Sequence, residues 1–122
     1  MDSGEMKQER SIVRLDDFEA FLESNPTATI FVKISSEQCT RCPAFADAVA
    51  ELADHYAFTR IDLDIRHVDN DLMEHVDVYI LPAFIIYRAG EELIKLQNAS
   101  VEQLADTVAA HCFPHLTLDA DF

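Results

Sequence analysis

No stretch of this sequence is long and apolar enough to cross a bilayer, which takes about 20 consecutive apolar residues. Its opening residues, Met1 to Met6, lack the basic-then-apolar pattern of a secretory signal, so a cytoplasmic protein is expected. Basic side chains are scarce: 9 Lys and Arg stand against 23 Asp and Glu, a formal net charge of −14. Such a surface repels phosphate backbones and anionic lipid, which argues against nucleic-acid and membrane-surface binding. Its bland use is solubility; its specific use would be to attract cationic proteins. Cysteine is sparse, with three residues, too few for a disulfide scaffold. Tryptophan is absent altogether, and there are no internal repeats or low-complexity segments.

What remains is a globular balance, 49% apolar and 26% charged over 122 residues, enough for one domain with its own core. Residues 1–10 are polar and without periodicity and read as a flexible tail. Ser11 to Leu15 reads as a short strand. Asp16, with Glu19 three residues on, reads as a capping box opening a helix to about Ser24, which Asn25-Pro26 breaks. Ala28 to Ser35 is β-branched and apolar, the pattern of a strand buried on both faces. Pro43 to Ala57 carries Phe45, Val49, Leu52 and Tyr56 at helical spacing. A strand over 58–64, a short helix within 67–76 and a hairpin of 83–88 with 92–97 follow, turning at Ala89-Gly90. Ser100 and Gln103 form a capping box for a last helix with Val101, Leu104 and Val108 inward. The domain is expected over 11–112, with 113–122 a tail. Strands alternating with helices predict an α/β protein whose central mixed sheet of four or five strands has helices on both faces.

The chemistry centres on Cys39-Thr40-Arg41-Cys42, directly after the buried strand and at the first turn of a helix. Helix N-terminal amides stabilise a thiolate, lowering a cysteine pKa from about 8.5 toward roughly 3.5–7.5. The spacing lets both sulfurs close a small ring, with Cys39 at the exposed tip to attack and Cys42 beneath it to resolve the mixed disulfide. Arg41 adds a fixed positive charge, which favours the thiolate and hence a more oxidising couple.

These residues resemble the thioredoxin family over nearly the whole chain, from about Ser11 to Cys112. Three landmarks carry the resemblance: the strand–Cys39-x-x-Cys42–helix junction, Ile80-Leu81-Pro82-Ala83-Phe84 as the cis-proline loop, and Tyr87-Arg88-Ala89-Gly90-Glu91 as the hairpin turn. The resemblance implies a three-layer thioredoxin-like sandwich. It implies a protein-disulfide oxidoreductase, a monomer without cofactor or metal, that meets a protein disulfide and a reductase or small-thiol electron donor. It implies a cis bond before Pro82 and a substrate groove built from Thr40, Leu81, Pro82 and Asn98, with the Leu81 backbone pairing to an extended substrate strand. The bland alternative is that Pro82 merely starts an edge strand in trans.

The departures point to a specialised relative. Thr40-Arg41 replaces the Gly-Pro of reductase-type members, the tryptophans before the first cysteine are missing, and Asn98 stands where a glycine usually opens the groove. Lys33 replaces the buried acid of the second strand. It would tune proton transfer at Cys42, or simply pair with Asp62 or Asp64 or reach solvent. Cys112, between His111 and Phe113, reads as a small semi-buried apolar residue or a regulatory thiol. A different class of function also fits: an interaction module of the same fold, with vestigial cysteines. Nothing resembles the glutathione-binding residues of an iron–sulfur glutaredoxin.

Overall fold

In the computed structural model, which describes residues 9–115, one five-stranded sheet runs in the order β1-β4-β2-β5-β6. Its strands are β1 (Glu9–Ser11), β2 (Thr29–Ser35), β4 (Thr59–Asp64), β5 (Ala83–Arg88) and β6 (Glu91–Gln97). β1, β4 and β2 are parallel, whereas β5 and β6 join antiparallel. The helices are α1 (Leu15–Ser24), α2 (Ala44–His55), α3 (Asn70–Val76) and α4 (Val101–His111). The rest of the two expected tails lies outside the described residues.

Side-chain alternation along β2 sorts the core into two layers. Ile30, Val32 and Ile34 face α1 and α3, joining Phe18, Leu22, Leu72 and Val76. Phe31 faces the opposite way, joining Phe45 and Val49 of α2 and Leu104 and Val108 of α4. Successive residues of a strand point to opposite faces, so a strand covered on both sides needs apolar residues at nearly every position.

Several local expectations are corrected. The first strand is Glu9–Ser11 rather than 11–15. Asp16 does not cap α1: the N-cap is Arg14, whose carbonyl accepts from Phe18 N–H at 3.0 Å. The stripe Leu15, Phe18, Leu22, packed in one cluster, sets the helix start, and Asp16 and Asp17 sit in its first turn, where acids favour the dipole. Val101 is 43% exposed rather than inward. Tyr56 and Ala57 are not helical; as β3 they pair antiparallel with β7, Phe113 and Pro114, which fall in the stretch expected to be a tail. Arg88 secures that end, donating to Thr29 Oγ1 at 2.9 Å and to the His111 carbonyl, with its guanidinium 4.8 Å over the Phe113 ring.

The Ser100 capping box is formed: Ser100 Oγ accepts from Gln103 N–H at 3.0 Å, and Gln103 Oε1 from Ser100 N–H at 2.9 Å. Ser100→Ala should therefore destabilise the protein by about 1 kcal/mol. Chemical denaturation would read this as a lower midpoint at unchanged slope; an unchanged midpoint would contradict it.

Candidate active site

β2 delivers the chain to Ser35 at the C-terminal edge of its parallel neighbours, and the redox loop follows. Cys39 N–H donates to Ser36 O at 3.1 Å, Cys42 N–H to Cys39 O at 3.3 Å and Ala44 N–H to Arg41 O at 3.3 Å. The cysteines thus occupy short turns ahead of α2 rather than its first regular turn. Pro43 is the N-cap; lacking an N–H, it cannot donate into the preceding turn, and regular helix begins after it. Cys39 and Cys42 form a disulfide with Cα atoms 5.4 Å apart. Cys42 is 6% exposed, whereas Cys39 is half-buried.

The Leu81–Pro82 peptide is cis. Pro82 is buried, and its carbonyl accepts from Ala99 N–H at 3.3 Å. A groove of about 460 Å³ brings Cys39, Thr40, Arg41 and Leu81 together with Tyr79 and Ile80. Tyr79 and Ile80 are 81% and 53% exposed; sequence reasoning missed Tyr79 and placed Ile80 in the cis-proline loop without assigning it to the groove. Two apolar residues outside any periodic segment, just before Leu81-Pro82, were the available signal. Gln97 holds their backbone, its Oε1 accepting from Tyr79 N–H at 2.7 Å and Ile80 N–H at 3.1 Å. A hydrogen bond to Asp77 and that carboxylate's charge raise the Tyr79 phenol pKa, so the groove carries a neutral phenol at physiological pH.

Arg41 leaves the loop sideways. Its guanidinium donates to Asn98 Oδ1 and, at 2.7 Å, to the Ala99 carbonyl. Asn98 adopts φ 55°, a left-handed conformation that asparagine tolerates. Lys33 lies elsewhere, half-buried in a cleft shared with Ser35, Asp62, Asp64 and His67. It is opposite Asp62 in the parallel register, but the Asp62 carboxylate is engaged by Arg60 Nε at 3.1 Å, and Lys33 makes no ion pair among the described residues. Cys112 is 5% exposed, in the α2–α4 core layer. Burial pushes its pKa up to about 11, against a lowering by Arg88. Among the described residues no group of three or more His, Cys, Asp or Glu could hold a metal ion, and no helix is long and apolar enough to cross a membrane.

Compared with known proteins, residues 10–110 match the thioredoxin family model. The chain belongs to the thioredoxin family. Among curated relatives, this thioredoxin-family protein is 28% identical to the thioredoxin of Gallus gallus over 102 residues, 81% of this chain and 94% of the relative. It is 28% identical to thioredoxin-1 of Caenorhabditis elegans over 98 residues, covering 78% and 83% of the two chains. Among solved structures, Schistosoma mansoni thioredoxin superposes with a TM-score of 0.76 at 19% identity, covering 86% of this chain and 97% of that one. Fasciola hepatica thioredoxin gives 0.74 at 21%, covering 84% and 98%; both establish the fold. Family and bonded cysteine pair together make this a thiol–disulfide oxidoreductase of thioredoxin type. The reading as an interaction module with vestigial cysteines is not favoured, because both sulfurs are present and within bonding distance.

Proposed function

We propose that this thioredoxin-family protein exchanges disulfides in protein substrates, with Cys39 as nucleophile and Cys42 as resolving cysteine. The observation that carries the assignment is the unequal burial of a bonded pair: Cys39 borders the groove, and Cys42 is 6% exposed. In the reducing direction, the Cys39 thiolate attacks one sulfur of the substrate disulfide, and the other sulfur leaves as thiolate and takes up a proton. Cys42 then loses its proton and attacks Cys39 Sγ, releasing the second substrate thiol and closing the Cys39–Cys42 disulfide. Two electrons pass to the substrate, and a reductase or small thiol restores the dithiol.

Thr40 and Leu81 fit as groove walls, with Leu81 offering backbone groups to an extended substrate segment. Buried Pro82 supports the groove from beneath, and Asn98 supports it by holding Arg41. Arg41 and Lys33 tune the couple, since a cation favours the thiolate and so the reduced form. Arg41 takes the larger share, because Asp62 and Asp64 share the cleft of Lys33 and offset its charge. The cysteines carry the electrons themselves, so the mechanism invokes no cofactor or metal. It is consistent with a cytoplasmic monomer whose domain extends past the expected 11–112 to take in β1 and β7.

Insulin reduction tests the assignment. Cys39→Ser should abolish turnover, and Cys42→Ser should accumulate a mixed disulfide through Cys39 that mass spectrometry detects. Wild-type turnover by Cys39→Ser, or trapping through Cys112, would overturn it.

A further inference from the structure

The groove carries a charge opposite in sign to the net charge of the molecule. The protein has 23 Asp and Glu and a net charge of −14, yet among the described residues no acid lines the groove beside Cys39 and the one charged lining residue is Arg41, with Asp77 meeting the groove through its hydrogen bond to Tyr79. The Arg41 charge is not neutralised. Its two hydrogen-bond acceptors are an amide oxygen and a backbone carbonyl, of Asn98 and Ala99, and among the described residues no carboxylate pairs with it. The contrast is Arg66, whose guanidinium is spent on Glu37 at 2.9 Å.

Arg41 is also held. The Ala99 carbonyl that accepts from it belongs to a residue whose N–H binds the Pro82 carbonyl at 3.3 Å. The redox loop, the cis-proline loop and the turn before α4 are thereby laced into one frame. A guanidinium has five N–H donors, so donors remain for a ligand after both bonds to the frame are made. An anchored cation loses less side-chain freedom on meeting a carboxylate than a free one does.

We propose that Arg41 is a specificity-determining residue, selecting disulfides whose cysteine is flanked by Asp or Glu on the substrate strand. This inference rests on the oxidoreductase reading above. The complementary segment is acidic at one position and apolar at the positions that meet Tyr79, Ile80 and Leu81. It is one carboxylate beside the disulfide, not an acidic protein. The net negative charge repels acidic proteins at long range, but at physiological salt that repulsion is screened beyond about 8 Å. Contact with Arg41 is inside that distance.

Three synthetic peptides test this, each with the same intramolecular disulfide and with Glu, Gln or Lys next to the attacked cysteine. The readout is kcat/KM for each peptide, divided by its rate with a free dithiol to remove intrinsic differences in reactivity. The wild-type protein should favour Glu over Gln by roughly two- to fivefold, the scale of an exposed ion pair, and disfavour Lys. The preference should shrink at high salt. Arg41→Gln should bring the Glu-to-Gln ratio to one whatever it does to the absolute rates, and Arg41→Lys should restore part of the preference. A ratio of one in the wild type, or a ratio unchanged in Arg41→Gln, overturns the inference alone. Failure to turn over any of the three peptides overturns the oxidoreductase reading and the inference with it.

Discussion

Replacing Phe31 with alanine should lower the unfolding free energy by about 3–5 kcal/mol, the usual cost of emptying a buried phenylalanine site. Phe31 is fully buried on the central strand β2. Its ring lies 4.9 Å from that of Phe58 and 5.6 Å from that of Phe84, and Phe84 in turn lies 5.4 Å from Phe45 of α2. Deleting the ring removes apolar burial and also the aromatic contacts, each worth roughly 0.5–1.5 kcal/mol. β2 is paired on both sides, so the backbone cannot collapse into the space. Whole domains are stable by only about 5–15 kcal/mol, so the loss should lower the melting temperature by roughly 10 °C or more. Thermal or denaturant unfolding of Phe31→Ala decides it. A loss below about 1 kcal/mol would mean that the ring does not knit α2 to the sheet.

Alkylation of the reduced protein at neutral pH should label Cys39 first and Cys112 far more slowly. Burial raises the Cys112 pKa to about 11, with Arg88 opposing weakly. The thiol form therefore dominates below that value, and a rise of about two units leaves roughly a hundredfold less thiolate at pH 7 than an unshifted cysteine has. That loss slows Cys112 before its 5% exposure hinders access further. Cys39 instead opens onto the groove beside Arg41. Iodoacetamide time courses read by peptide mass spectrometry should show native Cys112 labelled far more slowly than Cys39, and faster with each unit of rising pH up to about 11. Labelling of native Cys112 within tenfold of the Cys39 rate would overturn both its burial and its inertness.

Features that depend on neighbours in sequence are legible from the residues alone. β5 reads clearly at 83–88 because Ala83-Phe-Ile-Ile-Tyr87 is an unbroken apolar run between a proline and an Ala-Gly turn. The Ser100–Gln103 box is legible because its two bonds span three residues. Asp16–Glu19 has the same look and fails, because packing of Leu15 against the core outweighs a cap worth about 1 kcal/mol. Tyr56 follows Val49 at helical spacing, yet it turns into a strand because Pro114 arrives from the far end of the chain to pair with it. The site divides the same way. Cys39, Cys42 and Pro82 announce themselves by spacing, whereas the Arg41–Asn98 contact joins residues 57 apart and has no local signature.

The clamp at the other end of the molecule decides how the protein can be handled. His115 N–H donates to His55 O at 3.0 Å, and His115 borders a cleft shared with Thr29, where β2 begins. Cys39 follows the opposite end of that strand. Seven residues of β2 at about 3.3 Å each set the two ends roughly 20 Å apart. A bead, electrode or fluorescent reporter attached at His115 would therefore face the support while the disulfide faces the solution.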